Sequence, residues 1–582
     1  MHCNQLSENS VLLFDRNDHS WNLFSHPLRI IQADSCQEVL PALTEIESAV
    51  RQNGLWAAGF LSYEAASAFD PALHTHAPAG FPLLWFGLYR QAEPVRFPNQ
   101  PSGEAGALIW QPSVTRKHYL RCIQTIKQHI RRGDTYQVNY TYRQRAELHS
   151  EPWPLFQQMI RAQGPGYGAC INLPDWCICC ASPELFFSTN ADKLVSKPMK
   201  GTAARAVTAC QDQQRANRLY HSAKDRAENT MIVDMVRNDM GRVARTGSID
   251  VPFLNQVERY PTVWQMTSTV TCLTDASRVN IFKALYPAAS ITGAPKASAM
   301  NIITKLETTP RNIYTGSIGF MSPENRSQFN VAIRTLLWNK KSGRAEYGTG
   351  GGIVWDSVDS HEYRETLTKT RILHQMPPHY LFESLLWRAE TGFFLLDLHL
   401  DRLRHSARYF GFPFDASRAG QQLKSGIDTD KQELKAKLYL YPDGNMAIEA
   451  SPLIPHPRRY RISLASAPVS SDDPRLYHKT SDRSMYERAL QQASTADVLL
   501  WNEKHRLTES CTANIALQID GLLYTPPVSA GLLPGVYRRY LLEQKKLRVK
   551  SLTRDDLLNS QKVFCMNSVR GLWQVECVIV YS

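Results

Sequence analysis

The feature that most limits how this chain can fold is the Pro377-Pro378 pair, which interrupts helices and central strands. The residue before a proline is also kept out of the helical region, so local structure must end there. On both sides of the pair, short apolar runs alternate with helical periodicity, without a fixed-period repeat. The length of 582 residues allows several folding units. We therefore predict a first domain over residues 1–376 and a second over residues 377–582.

Composition and charge exclude several protein classes. Hydrophobic residues make up 43% and charged residues 21%, as in packed globular chains. Apolar runs stay below the roughly 18 residues of a membrane span, and the first residues lack the basic-then-apolar order of a signal peptide. The net charge of +12 is dispersed, and the densest basic run, PRRYR (457–461), holds three arginines. We expect a cytoplasmic protein that binds neither membranes nor nucleic acids.

The cysteines of the WCICC run (176–180) form the one cluster visible in the sequence. A metal or redox site would need a second spaced pair or a nearby histidine, and neither accompanies Cys177, Cys179 and Cys180. We therefore expect these thiols to be buried core residues.

Local periodicity predicts several elements of the first domain. Apolar residues recur at helical spacing from Arg116 to Arg132, which predicts a helix. The run FPLLWFGLYR (81–90) is typical of a buried strand, and GDTYQVNYTYR (133–143) predicts a turn followed by an alternating strand.

Four segments of the first domain place polar residues in apolar or glycine-rich surroundings. SPELFF (182–187) holds an isolated acid, Glu184, and SKPMKGTAAR (196–205) holds Lys200 before a glycine. AENTMIVDMVRNDMGRV (227–243) has Glu228 on its apolar helix stripe. ITGAPKASAM (291–300) leads a turn into a helix whose free N–H groups can bind an anion. Each segment alone is more often an ordinary surface element.

The fourth segment, EYGTGGGIVWDSVDSHEYRETLTKTR (346–371), combines a glycine run with charged residues at helical spacing. Glu362, Glu365 and Lys369 fall on one helix face. Two carboxylates on one face suit a hard cation such as Mg²⁺.

In this order and spacing, the four segments resemble the chorismate-utilising enzymes, and among them component I of the aminodeoxychorismate synthases. The resemblance is strong over residues 110–375 and weak over the first hundred. It implies an α+β first domain in which antiparallel sheets form a β-sandwich with helices. It also implies Mg²⁺ held by Glu228 and Glu365, with Glu362 nearby, and chorismate carboxylates bound by Thr292, Tyr314, Arg334, Lys369 and the backbone of Gly350, Gly351 and Gly352.

The same resemblance assigns chemistry to three more positions. Glu184 matches the acid that helps the 4-hydroxyl leave, and Gln137 stands where water-adding relatives have lysine, so ammonia is the expected nucleophile. Lys200 matches the lysine that attacks the ring and displaces the 4-hydroxyl before ammonia enters at C4, whereas anthranilate-forming relatives have alanine. Because a free amine is mostly protonated at neutral pH, Lys200 needs burial or a cationic neighbour, for which Mg²⁺ and Lys197 are candidates.

Two positions depart from the pattern of this family. Gln265 and Asn229 stand where many relatives have histidine. The role of those histidines is therefore not carried over to this chain.

The second domain contains another set of polar segments. FFLLDLHLDRLRHSARYFGF (393–412) puts His399, Arg402 and Leu403 on one helical face, and LYHKTSDRSMYERA (476–489) puts Lys479 ahead of a helix. Glu509 follows a turn in LLWNEKHRLTESCTANIAL (499–517), and Leu-Pro-Gly-Val precedes another helix. A lysine, an acid and such a helix start are what pyridoxal 5′-phosphate (PLP) requires.

These segments resemble the fold-type IV PLP enzymes, which include branched-chain aminotransferases and aminodeoxychorismate lyase. The resemblance implies two α/β lobes with PLP between them, although Ala516 replaces an aromatic residue that relatives usually have. Lys479 would bond to the PLP aldehyde and Glu509 would face its ring nitrogen. A hydroxyl at Ser384 would relay protons, and the phosphate would bind to Arg402, Gly535, Val536, Tyr537 and Ser568.

Together the two resemblances imply a bifunctional enzyme of 4-aminobenzoate synthesis, a step toward folate. The first domain would convert chorismate and ammonia to 4-amino-4-deoxychorismate, and the second would eliminate pyruvate. No glutaminase nucleophile turn is visible, so ammonia would be free or supplied by a separate glutamine amidotransferase subunit. A homodimer through the PLP domain is a further expectation.

Two alternatives remain open from the sequence. One is an anthranilate synthase component I-like first domain with an aminotransferase-like second domain, against which Lys200 argues. The other is a regulator that binds chorismate-like ligands or nucleic acid without turnover.

Overall fold

The computed structural model describes residues 6–78, 80–98, 108–374, 377–427, 433–454 and 460–578. The chain divides into two compact units: residues 1–205 with 216–376, and residues 377–582 with 206–215. Among the described residues, no helix combines the length and apolarity that crossing a lipid bilayer requires.

The first unit is built from twenty strands and nine helices, of which the fifth begins in residues grouped with the second unit. The strands are β1 Ser10–Asp15, β2 Ser20–Phe24, β3 Arg29–Ala33, β4 Trp56–Leu61, β5 Leu84–Tyr89, β6 Glu93–Val95, β7 Gln111–Pro112, β8 Gln137–Glu147, β9 Ala169–Asn172, β10 Trp176–Cys180, β11 Leu185–Asn190, β12 Lys193–Lys197, β13 Met199–Ala204, β14 Asp250–Arg259, β15 Val263–Leu273, β16 Gly293–Ala294, β17 Ser317–Met321, β18 Arg326–Asn330, β19 Thr335–Asn339 and β20 Arg344–Ile353. The helices are α1 Cys36–Asn53, α2 Ala66–Phe69, α3 Arg116–Arg132, α4 Trp153–Gln163, α5 Ala209–His221, α6 Ala223–Gly241, α7 Arg278–Leu285, α8 Lys296–Leu306 and α9 Asp359–Thr370. These counts refer to the described ranges.

Two ten-stranded antiparallel sheets organise this unit. One has the order β16-β8-β20-β19-β10-β9-β1-β2-β6, with β7 beside β8, and the other has the order β13-β15-β12-β11-β18-β17-β4-β5-β3, with β14 beside β15. One core cluster combines side chains of both sheets, including Val11 and Phe24 from the first and Phe60 and Trp85 from the second. The predicted mixed α+β character with large antiparallel sheets is confirmed.

Helix α3 shows why the periodicity of its sequence was informative. Thr115 accepts a hydrogen bond from the backbone N–H of His118 at 3.2 Å, which starts the helix, and Gly133 ends it at a φ of 80°. Tyr119, Ile123 and Ile126 are buried on the apolar face, as predicted. The predicted buried strand within residues 81–90 is β5, whose residues are all buried.

Strand β8 alternates as predicted, but its polar face is also buried. Val138 and Tyr140 pack under α3 and α8. On the other face, Thr141 donates hydrogen bonds to Glu307 Oε1 from its backbone N–H at 2.9 Å and from its hydroxyl at 2.8 Å. Arg311 in turn donates to Asn139 O at 2.8 Å. The polar residues of β8 therefore face a polar interior rather than solvent.

The second unit contains twelve strands and five further helices within the described ranges. The strands are β21 Leu381–Arg388, β22 Gly392–Phe393, β23 Glu433–Leu440, β24 Met446–Pro452, β25 Arg461–Leu464, β26 Asp497–Trp501, β27 Leu507–Ser510, β28 Asn514–Ile519, β29 Leu522–Thr525, β30 Arg548–Val549, β31 Lys562–Asn567 and β32 Gly571–Val578, and the helices are α10 Leu396–Phe410, α11 Ala416–Ser425, α12 Ser484–Gln491, α13 Val536–Glu543 and α14 Arg554–Leu558. A four-stranded antiparallel sheet has the order β22-β21-β23-β24, and a mixed eight-stranded sheet has the order β27-β26-β25-β32-β31-β28-β29-β30.

Candidate active sites

A cavity of about 140 Å³ in the first unit collects most of the residues predicted for the first site. Ten of the thirteen line it: Glu184, Lys200, Glu228, Tyr314, Arg334, Gly350, Gly352, Glu362, Glu365 and Lys369. Gln137, Thr292 and Gly351 lie outside this lining. The cavity walls come from β13, β20, α6 and α9, which are distant in sequence.

The glycines of β20 allow these side chains to approach the strand. A Cβ added to Gly352 would overlap Lys200 Nζ and Gln137 Nε2, and one added to Gly348 would overlap the Tyr314 ring. A Cβ at Gly351 would lie 3.6–3.8 Å from charged atoms of the α9 face. Gly350 leaves no room for a Cβ against the backbone of β8. The glycine run therefore provides close approach on both faces of β20.

Lys200 lies on β13 with 9% of its surface exposed. Burial lowers the pKa of its amine, and the positive charge of Lys369 lowers it further, while the Glu228 carboxylate opposes both. Lys197, the cationic neighbour considered from the sequence, instead forms a 2.5 Å ion pair with Glu258. Lys369, and not Lys197, is therefore the cationic neighbour that lowers the pKa of Lys200.

Glu184 is buried beside Lys200. Burial raises the pKa of its carboxyl to about 7, against the stabilising hydrogen bond that Ser290 Oγ donates to Oε1 at 2.6 Å. A substantial protonated fraction is therefore present at neutral pH, as a proton donor requires. Ser290 was missed from the sequence because it lies 106 residues further along the chain.

Three carboxyl groups of the cavity differ in their surroundings. Burial raises the pKa of Glu228, and burial together with the negative charge of Glu365 raises that of Glu362. Although burial also disfavours the charged form of Glu365, Lys369 Nζ at 2.6 Å holds its pKa below the usual value. Lys369 also donates to Gly350 O at 2.8 Å. A second lysine of the lining, Lys224, has its Nζ 3.8 Å from Glu228 Oε1. Apart from Lys200, the described lining holds five acidic residues and three basic ones, so negative charge is in excess around the Lys200 amine.

These carboxyl groups are chemically suited to Mg²⁺, which prefers oxygen ligands. In the described part of the chain, their ligand atoms are not all within 4.8 Å of one another. A cation between them would offset the repulsion between Glu362 and Glu365. Glu228, Glu362 and Glu365 therefore fit the ion by donor type.

Gln137 and Thr292 differ in what their side chains do. Both amide atoms of Gln137 are buried without a hydrogen-bond partner, next to Lys200 and Gly352. Such an orphaned buried amide is costly, which points to a ligand group that satisfies it. The Thr292 hydroxyl instead donates its hydrogen bond to the backbone of the preceding turn, with Ala288 O at 3.2 Å and Ala289 O at 3.3 Å.

The two residues that replace family histidines support the backbone around Lys200. Gln265 Nε2 donates to Gly201 O at 2.9 Å, and Asn229 Nδ2 donates to Lys200 O at 3.3 Å. Ser268 donates its hydroxyl to Asn229 Oδ1. Both amides therefore hold the strand segment that carries Lys200.

Arg334 and Tyr314 complete the first cavity. Arg334 Nη1 donates to Lys369 O, and the Tyr347 hydroxyl donates to the same oxygen at 3.1 Å. Tyr314 is buried, and the guanidinium of Arg143 lies 5.0 Å from the centroid of its ring. Both side chains predicted to bind substrate are therefore held by polar or cationic neighbours, Arg334 by Lys369 O and Tyr314 by Arg143.

In the second unit, the Lys479 amine lies over the Phe382 ring, 5.0 Å from its centroid. Burial lowers its pKa to about 7, and the positive charges of Arg402, Arg483 and Lys435 add to this effect. Glu383 opposes the shift. A large fraction of the amine is therefore neutral and nucleophilic near pH 7.

Glu383 forms a buried network with two residues of α10. Arg402 donates to its two carboxylate oxygens at 2.8 and 2.5 Å, and His399 Nδ1 lies 2.7 Å from Oε2. Although burial disfavours the charge, these partners hold the pKa of Glu383 at about 2. Sequence reasoning missed Glu383, although an isolated acid in an apolar strand is the same signal that marked Glu184.

Arg402 also reaches the turn before α13. Its Nη1 donates to Pro534 O at 3.3 Å, next to Gly535, which caps the helix start. Val536 and Tyr537 form the first turn of α13. Arg402 and the N–H groups predicted to bind phosphate are therefore neighbours, with most of the guanidinium engaged by Glu383.

Glu509 lies on β27 and is buried. It accepts hydrogen bonds from the Tyr486 hydroxyl at 2.9 Å and from Asn514 Nδ2 at 3.0 Å, yet burial raises its pKa to about 8. Asn514 Nδ2 also donates to Leu533 O at 2.9 Å, which ties Glu509 to the turn before α13. A positively charged ring nitrogen opposite Glu509 would lower this pKa, so the carboxyl fits the PLP pyridine.

Ser384 and Ser568 lie next to one another. Ser568 Oγ donates to Ser384 O at 3.4 Å. Ser384 is half-buried on β21, one residue beyond Glu383. The predicted hydroxyls therefore belong to the same region as Glu383 and Lys479.

Three cysteines lie together outside both sites. The sulfur atoms of Cys170, Cys177 and Cys179 lie within 4.8 Å of one another in a buried core cluster. Cys180 lies on the opposite face of β10, where its sulfur accepts from Thr335 Oγ1 at 3.1 Å. Strand pairing thus adds Cys170 to the cluster seen in the sequence, because it is directly opposite Cys179.

Comparison with known proteins decides the family of the first unit. The family model for chorismate binding enzymes matches residues 8–375, which is more than half of the chain. The chain belongs to the chorismate binding enzymes. A second model, amino-transferase class IV, matches residues 380–578. The resemblances predicted from the sequence are confirmed.

Curated relatives match part of the chain. Aminodeoxychorismate synthase component 1 of Klebsiella aerogenes is 40% identical over 271 residues, which are 46% of this chain and 59% of that protein. Anthranilate synthase component 1 3 of Haloarcula marismortui is 39% identical over 253 residues, 43% of this chain and 50% of that protein. The chain thus spans less than two thirds of the length of either relative.

A solved structure shares the fold of the first unit. A 2,3-dihydroxybenzoate-specific isochorismate synthase, DhbC from Bacillus anthracis, aligns with a TM-score of 0.54 and 18% identity, covering 64% of this chain and 96% of that chain. At this identity the similarity concerns the fold.

Proposed function

We propose that this chain makes 4-aminobenzoate in two steps, amination of chorismate in the first domain and elimination of pyruvate in the second. The observation that carries the proposal is a pair of lysines, Lys200 and Lys479, whose pKa values burial lowers in two separate sites. Relatives named aminodeoxychorismate synthase component 1 support the first step. The class IV aminotransferase match supports the second.

In the first site, Arg334, Tyr314 and the β20 backbone would hold the carboxylates of chorismate. The Lys200 amine would bond to the ring as the C4–O bond breaks, and Glu184 would give its proton so that the hydroxyl leaves as water. Ammonia would then bond at C4 as the Lys200–carbon bond breaks. Gln137 is neutral and would not activate water as a lysine does, which favours ammonia.

Mg²⁺ would be held by Glu228 and Glu365, with Glu362 nearby, and would stabilise negative charge on a substrate carboxylate. Lys369 would keep its ion pair with Glu365 while its charge lowers the pKa of Lys200. In this proposal the chain's own cations would bind the substrate and activate Lys200, whereas the three carboxyl groups would hold the metal ion.

In the second site, PLP would supply the electron sink that makes the carbon bearing the substrate amine acidic. Lys479 would remove the proton from that carbon, and Ser384 would relay protons nearby. Glu509 would hold the ring nitrogen, while Arg402, the turn at Gly535–Tyr537 and Ser568 would hold the phosphate. Loss of pyruvate leaves the aromatic 4-aminobenzoate.

The finer architecture and the partners belong to the same proposal. The shared core cluster supports face-to-face packing of the two large sheets as a sandwich, and the two sheets of the second unit support two lobes. We assign residues 1–376 and 377–582 to the two domains, in a cytoplasmic protein. Ammonia is free or comes from a separate glutamine amidotransferase subunit, and the PLP domain mediates a homodimer.

One product assay tests this function. Purified chain is incubated with chorismate, ammonium, Mg²⁺ and PLP, and the products are separated by chromatography. The expected products are 4-aminobenzoate and pyruvate, with 4-amino-4-deoxychorismate accumulating when PLP is left out. Anthranilate as the main product, 2-oxoglutarate-dependent transamination without 4-aminobenzoate, or unchanged chorismate would overturn the proposal.

A further inference from the structure

One face of the four-stranded sheet carries two lysines beside the second site. Side chains alternate along β23, so Leu434, Ala436 and Leu438 are buried while Lys435 and Lys437 lie on the opposite face. In the register with β21, Lys437 is opposite Ser384 and Lys435 is opposite Leu386. We call the face with these lysines and Ser384 the lysine face.

The lysine face is the one that Lys479 approaches. Phe382 is two residues before Ser384 and therefore lies on the same face, and the Lys479 amine lies 5.0 Å from the centroid of its ring. The positive charge of Lys435 is one cause of the lowered pKa of Lys479, so the two amines repel each other when both are protonated. A substrate whose amine takes the place of the Lys479 amine would therefore lie against the lysine face.

The lysine face has an excess of positive charge. Burial lowers the pKa of Lys435, and the charges of Lys437 and Arg570 lower it further. Within the described residues, no carboxylate forms an ion pair with any of these three cations. Glu449 is opposite Lys437 in the register, but it is exposed and accepts a hydrogen bond from the Tyr439 hydroxyl at 2.7 Å. Three cations against one exposed carboxylate leave net positive charge, which favours an anionic ligand.

Most of the proposed phosphate ligands lie on other elements than the lysine face. Arg402 Nη1 donates to Pro534 O beside the start of α13, where backbone N–H groups are available. The lysine face, in contrast, is beside Ser384 and Phe382 on β21. Arg402 and the start of α13 are therefore on other elements than the lysine face, whereas Ser568, the remaining proposed phosphate ligand, adjoins this face through its hydrogen bond to Ser384 O at 3.4 Å.

We propose that Lys435 and Lys437 bind the two carboxylates of the substrate at the second site. The inference rests on the proposed function, whose intermediate carries one carboxylate on the ring and one on the enolpyruvyl side chain, neither of them on the carbon that bears the amine. Lys435 and Lys437 are two residues apart on one strand, so their Cα atoms are about 7 Å apart along it. Two amines at this spacing match two carboxylates on one small ring compound. An α-amino acid with a single carboxylate, which adjoins the amine, would use at most one of them.

The test replaces each lysine by methionine, which keeps the aliphatic stem and removes the charge. Lys435→Met, Lys437→Met and the double variant are compared with Lys562→Met, which removes an exposed lysine at the far end of β31. The steady-state constants are measured with 4-amino-4-deoxychorismate, and PLP binding to the apo protein is followed by absorbance. Isophthalate and benzoate, a ring dicarboxylate and a monocarboxylate, serve as binding probes by calorimetry on the apo and the PLP-loaded chain.

Each single variant should raise KM roughly tenfold or more, since a charged hydrogen bond contributes about 1.5–3 kcal/mol. PLP affinity should stay within about threefold of wild type, and so should kcat when it is measured above about pH 8.5, where the Lys479 amine is mostly neutral even if the loss of the Lys435 charge raises its pKa. Isophthalate binding should fall in parallel with the rise in KM, and Lys562→Met should match wild type. An unchanged KM, or a loss of PLP affinity with an unchanged KM, would overturn the inference, the latter in favour of phosphate binding. If wild type forms no 4-aminobenzoate yet binds isophthalate through these lysines, the proposed function fails while the carboxylate site stands.

Discussion

Lys200 is buried and Lys479 is half-buried; both have lowered pKa values, but their surroundings carry opposite charges. Lys200 faces Glu228, Glu362 and Glu365 across a cavity, with Lys369 as its close cation. Lys479 is surrounded by Arg402, Arg483 and Lys435, with Glu383 as the opposing charge. Burial is the largest cause of the shift in both cases.

We infer from this difference that the two proposed nucleophiles are suited to two kinds of electrophile. Around Lys200, excess carboxylate suits a metal ion that in turn binds an anionic substrate. Around Lys479, excess cation suits a ligand that itself carries a phosphate and carboxylates. The neighbours of each lysine therefore indicate its ligand better than the lysine itself does.

The largest effect is expected for Lys479→Ala. Without the amine, the second step should lose on the order of 10⁴-fold or more in rate, as when an enzyme loses its covalent nucleophile. The absorbance band of the bound cofactor should disappear and 4-amino-4-deoxychorismate should accumulate from chorismate, with the first step unchanged. An unaltered spectrum would remove the basis for comparing the two lysines. Lys504→Ala, at an exposed loop position, is the matched control.

Lys200→Ala should produce the complementary defect. Formation of 4-amino-4-deoxychorismate should fall on the order of 10³-fold or more, because Gln137 and Glu184 cannot replace the attacking amine. A slow anthranilate-like product can remain, since the other groups of the cavity are intact. Elimination from supplied 4-amino-4-deoxychorismate should proceed at the wild-type rate, as it should in the control Lys193→Ala. Full 4-aminobenzoate output from chorismate would contradict the nucleophilic role.

Several elements of this fold could be predicted from the sequence, because local periodicity and contiguous motifs are visible in a single chain. The helix Arg116–Arg132 followed from periodicity, and Leu84–Tyr89 followed from an apolar run. The alternation of β8 was also correct, but its polar face was buried by Glu307 and Arg311, whose contacts with it are long-range. Whether a polar face is buried depends on such long-range contacts, which the local periodicity of the sequence cannot predict.

The candidate sites show the same limit. Motif residues such as Glu184 and Lys200 were found, whereas Ser290 and Cys170 were missed because their contacts come from distant segments. Thr292 fits the motif, yet its hydroxyl is used by the preceding turn. Hydrogen-bond partners are set by the fold, so the sequence predicts which residues are candidates better than what each one contacts.

A smaller effect is expected for Glu184→Gln. Gln keeps the shape and can still accept from Ser290, but it cannot give a proton, so amination should slow by roughly 10²–10⁴-fold. Because the pKa of Glu184 is about 7, the wild-type rate should also fall as pH rises above 7 and the carboxyl deprotonates. The exposed Glu324→Gln serves as control, and the rate of 4-amino-4-deoxychorismate formation is measured across pH. A variant with an unchanged rate and an unchanged pH profile would exclude Glu184 as the acid.

The smallest effect concerns how cations set the reactivity of Lys479. Only the neutral amine attacks the PLP aldehyde, and a folded-state pKa of about 7 means that this form increases with pH through 7 and falls about tenfold per unit below it. The rate at which apo protein develops the cofactor band should therefore be half-maximal near pH 7, not near the ~10.4 of an unperturbed lysine. Arg483→Met removes one positive charge, so the pKa of Lys479 and this midpoint should rise, by less than about one unit because burial remains the largest cause. Arg488→Met, an exposed change within α12, the helix that follows Arg483, should leave the midpoint in place. A wild-type midpoint above 9 would show that neither burial nor the surrounding cations activate Lys479, and the contrast with Lys200 would no longer hold.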